Sequence, residues 1–206
     1  MVEEAAVPHQ NRVDPFGEIV ALHQRGRWMG NRGILHEGTA IVRPWQHRNW
    51  IICATAYKDW RAPQWMPRRY TPLFFLDEAV ALAAGHRPCA LCRRPRWRAF
   101  VDAWRVATGD DDPRRDAIDR RLHVERRDPE TRRQRVHRAP WPELPVGTFA
   151  LVDGAPARVA VDHVLPWSPA GYGRPATRPA RGDAVVLTPA VTVAVLAAGY
   201  LADADA

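Results

Sequence analysis

Apolar positions in the first third of the chain fall in short β-branched and aromatic runs. Gly26, Gly30, Gly33 and Gly38 separate them, a pattern that predicts strands and turns. "NWIICATAY" is the strongest strand among them, with Cys53 in it or at its end. "YTPLFFL" predicts a further strand leading into a helix over "DEAVALAAG". There Asp77 can cap the N-terminus, Glu78 suits the first turn and Gly85 supplies a left-handed stop. The spacing then turns helical. In "PRWRAFVDAWRVATG", Trp97, Phe100, Val101 and Trp104 fall on one stripe, and the face with Arg98, Asp102 and Arg105 is polar. The tryptophans are therefore expected in the core. A second helix, "PRRDAIDRRLHVERRD", starts at Pro113.

"RAPWPELPVG" reads as a proline-rich connector. Beyond it, "TFALVDG" and "APARVAVDHVLPWS" predict a hairpin turning at Asp153-Gly154. "GYGRPATRPARGD" reads as loop, and "AVVLTP" with "VTVAVLAAGY" as a strand and a short helix. This last stretch echoes "TPLFFLDEAVALAAGH": each has Thr-Pro, an apolar helix, Ala-Ala-Gly and a ring-bearing residue. The pattern predicts a mixed α+β protein in three parts: a Cys-knuckle domain over 1–110, an arginine-rich helix and connector over 111–145, and a small β-rich part over 146–206.

Composition narrows the class. The 206 residues are 46% hydrophobic and 26% charged, which is globular, and no long apolar run suggests a membrane span. Met1 to Pro15 lacks a basic region followed by an apolar one, so a cytoplasmic protein is expected. The net charge of +7 favours an anionic partner, nucleic acid first. All but one of the 30 basic residues are arginine, so biased codon usage contributes to that charge. Ten arginines face five acids between Arg114 and Arg138. Helical spacing pairs Arg115 with Asp119 and Arg121 with Glu125, leaving Arg132, Arg133, Arg135 and Arg138 as phosphate candidates.

The chemistry centres on "AAGHRPCALCRR". A C-x2-C turn lets Cys89 and Cys92 reach one zinc ion, and Cys53 offers a third sulfur from a strand. His86, His36, His47, Asp59 and His163 are open alternatives for a fourth ligand. Arg87, Arg93, Arg94 and Arg96 flank the sulfurs and are the expected nucleic-acid contacts. Three buried thiols without metal are the plain alternative. A redox dithiol is disfavoured, because Pro88 precedes the first cysteine and the knuckle follows a helix rather than opening one.

"LFFLDEAVALAAGHRPCALCRR" resembles the second half of the N-terminal zinc domain of the Ada DNA-repair methyltransferases. The matching residues are Ala83, Ala84, Gly85, Arg87, Pro88, Cys89 and Cys92, over a region of roughly 45–95. The resemblance implies a zinc knuckle, binding to DNA, and Cys53 as a thiolate that accepts a methyl group. Tyr57 stands where the family has its fourth cysteine, so the four-sulfur set is incomplete. A likeness to bacterial proteins combining "MGNRG", "RYTPLFFLDEA" and "AAGHRPC" implies no activity.

Two weaker patterns complete the reading. "AVDHVLPWS" resembles the Asp-His opening of HNH nucleases, but no His or Asn follows His163 to complete a metal site. "RGRWMGNRGILH" sets Arg25, Arg27, Asn31, Arg32 and His36 among glycines, and reads as a β-turn rather than a phosphate loop. The expected function is nucleic-acid binding with a structural zinc. A Cys53-based repair-like enzyme and a protein-interaction module are the alternatives.

Overall fold

The computed structural model describes residues 7–201. The first part of the chain forms β1 (Gln10–Val13), β2 (Ile19–Ala21), β3 (Trp28–Asn31), β4 (His36–Glu37), β5 (Ala40–Ile41), β6 (Ile51–Cys53), β7 (Ala56–Tyr57), β8 (Trp60–Arg61) and β9 (Leu73–Phe75). Then come α1 (Glu78–Ala83), β10 (Arg87–Pro88), α2 (Arg94–Thr108) and α3 (Arg115–Arg126). The rest forms β11 (His137–Pro140), a 3-10 turn at Trp141–Glu143, β12 (Phe149–Val152), β13 (Ala155–Val159), β14 (His163–Ser168), β15 (Gly171–Tyr172), β16 (Ala176–Thr177), β17 (Asp183–Val186) and α4 (Ala190–Ala197). The mixed α+β architecture expected from the sequence is present, and "GYGRPATRPARGD", expected as loop, contains the short strands β15 and β16.

A six-stranded mixed sheet in the order β10-β6-β3-β9-β1-β2 divides its side chains by the period of two. Ile52, Leu73 and Phe75 point into the main core, while Met29, Cys53 and Phe74 belong to a small cluster with Cys89. The second sheet, in the order β11-β17-β12-β13-β14-β15 with β16 beside β14, also packs on both faces. Phe149 and Trp167 join the main core, whereas Ala150, Val159, Val164 and Val186 form a core of their own. The hairpin turn falls at Asp153 and Gly154, whose φ angles of 50° and 80° suit the twist of the flanking strands.

The main core draws on all three segments read from the sequence, including Val80, Trp104, Leu122, Phe149 and Tyr200. Two adjacent acids at the start of α1 reinforce that junction. Asp77 caps the helix by accepting from the Val80 amide at 2.8 Å, and its other oxygen takes Arg158 at 3.2 Å and the Tyr172 hydroxyl at 2.7 Å. Glu78, fully buried, takes Arg93 and Arg96 at 2.8 Å each and the Tyr200 hydroxyl at 2.7 Å. A buried carboxylate needs that many donors to offset its lost hydration.

The sequence echo has a structural counterpart. His86 N–H reaches Ala81 O and Gly85 N–H reaches Leu82 O; Tyr200 N–H reaches Val195 O and Gly199 N–H reaches Leu196 O. Both helices thus end in the same paired-bond stop around a left-handed glycine. Gly85 has a second constraint, because a Cβ there would lie 2.5 Å from the Arg126 side chain.

Candidate metal centre and its flanking clefts

Strand register brings the three sulfurs together. β10 runs parallel to β6 with Arg87 opposite Ile51 and Pro88 opposite Ile52, and the Cys89 amide donates to Ile52 O at 2.9 Å. One step further along each strand sets Cys89 beside Cys53. The C-x2-C turn then folds Cys92 back over the same point. The sulfurs of Cys53, Cys89 and Cys92 all lie within 4.8 Å of one another. Tetrahedral zinc with Zn–S bonds of about 2.3 Å needs sulfurs roughly 3.8 Å apart, so small side-chain adjustments fit an ion. All three cysteines are free.

The surroundings favour negative charge on sulfur. The Leu91 amide donates to Cys89 Sγ at 3.4 Å and the Ala54 amide to Cys92 Sγ at 3.4 Å. Hydrogen bonds from Cys53 and then Cys92 pull the Cys89 thiol well down, and Cys53, as the donor to Cys89, is pushed up. A divalent ion supplies the charge that lets all three ionise. Burial, followed by the nearby Cys53 and Cys92, pushes the Tyr70 phenol up to about 12.

None of the open alternatives for a fourth ligand joins the cluster. Among the described residues it contains the three cysteines and no His, Asp or Glu. His86 is fully buried between Phe75 and Trp50, with ring centroids at 4.6 and 5.1 Å, and its Nε2 accepts from Arg32 Nε at 3.1 Å. His36 meets the Thr71 hydroxyl at 2.6 Å, and the half-buried His47 has a pKa lowered by desolvation. Asp59 sits in the turn between β7 and β8. His163 pairs with Asp162 at 2.7 Å on β14, and neither residue belongs to a metal-ligating trio.

The knuckle also opens a helix, which corrects one sequence argument. Arg93 N–H bonds to Cys89 O, and α2 begins at Arg94, so position in the chain does not separate this knuckle from a redox dithiol. The third sulfur does, since it makes a convergent trio rather than a pair.

Two clefts meet at Cys89. One, of about 390 Å³, is lined by all three cysteines together with Met29, Tyr57, Trp60, Tyr70 and Leu91. Tyr57, at the position where the resemblance expects a cysteine, lies in this wall, and Trp60 and Tyr70 rings are 6.2 Å apart. The other cleft, of about 520 Å³, includes Arg48, Asn49, Cys89, Arg115 and Arg120. Cys89, Ile51 and Leu91 border both.

The four arginines flanking the sulfurs in the sequence have different environments. Arg87 is buried and forks onto Asp119, Arg93 is buried on Glu78, and Arg96 is partly buried and also on Glu78. Arg94 is exposed. It shares a shallow hollow with Arg98 and Arg115, and Arg115 also lines the larger cleft. Arg48, Arg94, Arg98 and Arg115 are exposed, with no ion-pair partner among the described residues. The polar face of the helix after the knuckle already exposes Arg98 in the sequence, whereas no sequence signal marks Arg48 or Arg115, which tertiary packing alone carries to the knuckle. The expected Arg115–Asp119 pair is replaced by Arg87–Asp119, while Arg121–Glu125 forms as expected.

Arg32, read as part of a β-turn, is fully buried, with its guanidinium 3.9 Å from the Trp50 ring centre. Arg126 lies equally close to the same ring. Arg132 and Arg135 line a separate hollow with Trp45 and His123. Among the described residues no helix is long and apolar enough to cross a membrane; residues 1–6, part of the Met1 to Pro15 segment that carries the expectation of no leader, lie outside them. No family model, curated protein or solved structure matches the chain.

Proposed function

We propose that the protein binds zinc through Cys53, Cys89 and Cys92 and uses the arginine-rich surface around the knuckle to bind nucleic acid, DNA in the first instance. The convergence of three sulfurs within 4.8 Å carries the zinc reading. Thiolate ligands suit zinc, and the two amide-to-sulfur bonds support anionic sulfur before any ion enters. Arg48, Arg94, Arg98 and Arg115 support the nucleic-acid reading, since exposed guanidiniums release counterions from phosphate on binding. They take the place of the buried or paired Arg87, Arg93 and Arg96 as phosphate contacts, and Arg94 alone of the four flanking arginines stays among them.

Metal analysis of the purified protein tests the first half. One zinc per chain is expected, and it should disappear in Cys89→Ser; a protein that neither carries nor takes up zinc removes the proposal. Retention of DNA and RNA oligonucleotides at low salt tests the second half. Equal retention of an uncharged analogue would remove the phosphate reading.

A second reading is favoured by the opening of the sulfur cluster into a cleft rather than into sealed core. In that reading Cys53, Cys89 and Cys92 would hold zinc, which would keep Cys53 as a thiolate, and its sulfur would accept an alkyl group from a methylated phosphate, the S–C bond forming as the O–C bond breaks and leaves the phosphodiester. Mass spectrometry after exposure to methylated DNA should then find Cys53 modified selectively. Equal labelling of all three thiols would count against it.

A further inference from the structure

Structural zinc sites are closed by four protein ligands, whereas three protein ligands leave a position for an outside donor. Among the described residues, only three His, Cys, Asp or Glu side chains join this cluster. The three sulfurs do not face packed core on every side. They form part of the wall of the 390 Å³ cleft, whose remaining walls are largely carbon, from Met29, Ile51, Leu91, Trp60 and the rings of Tyr57 and Tyr70, with Asn31 the one amide side chain in its lining. Trp60, on the β7–β8 hairpin, lines the cleft and is 48% exposed.

We propose that the fourth coordination position at Cys53, Cys89 and Cys92 opens into this aromatic cleft and takes the sulfur of a small apolar thiol. The inference rests on the zinc reading above and adds the ligand class. Three thiolate ligands favour a soft fourth donor. A carboxylate would bring a second oxygen into a cleft with few donors, and an unmet polar atom there is costly. A thiolate needs no hydrogen-bond partner, and its apolar body gains from the aromatic walls. The exchange is simple: the thiol gives its proton to solvent as its sulfur displaces solvent from the fourth position, and nothing is oxidised or reduced. In the neighbouring cleft that shares Cys89, Arg48, Arg87, Arg115 and Arg120 outnumber Asp116 and Asp119, a balance that favours the added negative charge.

Cobalt(II) in place of zinc makes the coordination visible. The full-length protein loaded with one cobalt should show thiolate-to-metal and ligand-field bands. Phenylmethanethiol should shift the ligand-field bands saturably, with cobalt retained after the thiol is removed. Benzyl alcohol, of nearly the same shape, should not. Trp60→Ala should still bind one cobalt but weaken thiol binding roughly three- to tenfold. Bands that stay fixed with cobalt bound would show a closed site and overturn the inference while leaving the metal reading intact. A change of those bands in Tyr57→Phe or Tyr70→Phe, without added thiol, would identify the closing phenol and overturn it equally. Thiol that strips cobalt into solution would also overturn it. No cobalt uptake at all would instead remove the zinc reading on which the inference stands.

Discussion

Arg87 forks onto Asp119, with Nε at 2.9 Å from Oδ1 and Nη2 at 2.7 Å from Oδ2, and both side chains are almost fully buried. The pair ties β10, which ends beside Cys89, to α3, and the guanidinium also lies over Trp97 at 4.6 Å. Removing Asp119 leaves the buried Arg87 charge with only the Pro88 carbonyl at 3.1 Å and the Trp97 ring as partners. Asp119→Ala is expected to cost about 3–5 kcal/mol in urea unfolding. Asp116→Ala, on the exposed side of the same helix, should stay within about 0.5 kcal/mol. Equal midpoints for the two variants would show that the fork contributes no stability.

The same pair separates structural from surface arginines. Arg48→Ala or Arg115→Ala should weaken oligonucleotide binding across sequences. Each should also reduce the slope of log affinity against log salt by about 1, because one phosphate fewer is neutralised. A folded variant with an unchanged slope would exclude that arginine from the binding surface. Arg98→Ala tests how far the surface extends along α2.

Much of the centre is legible in the sequence because its determinants are local. The knuckle spacing, Asp77 as cap and Gly85 as stop are short-range signals, and each is found as expected. Cys53 can be anticipated as a possible third sulfur, but only the parallel pairing of β10 with β6 fixes its register. The fate of Arg87, Arg93 and Arg96 is not legible. Their partners, Asp119 and Glu78, lie 32, 15 and 18 residues away, and sequence spacing cannot tell a buried ion pair from a free charge. Likewise, the proline-rich connector suggests a division of the chain. Asp77 and Glu78 instead hold side chains from the C-terminal part against α1.

Zinc should stabilise the fold by mass action if it binds the native sulfurs selectively. At free zinc a hundredfold above Kd the gain is about 2.7 kcal/mol, read as a raised unfolding midpoint. The gain should vanish in Cys53→Ser and Cys92→Ser alike, because the cluster joins β6 to the start of α2. Because the thiols must lose protons to bind, zinc affinity should fall as pH is lowered. A stabilisation retained in either serine variant would place the ion elsewhere.

His86 gives the fold a defined acid sensitivity. Its ring is fully buried between Phe75 and Trp50 and accepts from Arg32 at 3.1 Å. Desolvation, then the charges of Arg32 and Arg126, hold its pKa well below 6.5. A group whose folded pKa is depressed contributes stability above its unfolded pKa and loses it as pH falls. Below about pH 6.5 the unfolded chain takes a proton that folded His86 does not, costing up to about 1.4 kcal/mol per pH unit. His86→Phe removes that proton uptake at the expense of a constant offset, because Arg32 Nε loses its acceptor. Urea unfolding at pH 7.5, 6.5 and 5.5 should therefore show a shallower pH dependence in the variant. His47, His123 and His137 also have lowered pKa values, but they are common to both proteins and cancel in the difference. Parallel pH curves would mean that His86 is protonated in the folded state, which in turn would require Arg32 to move off its ring nitrogen.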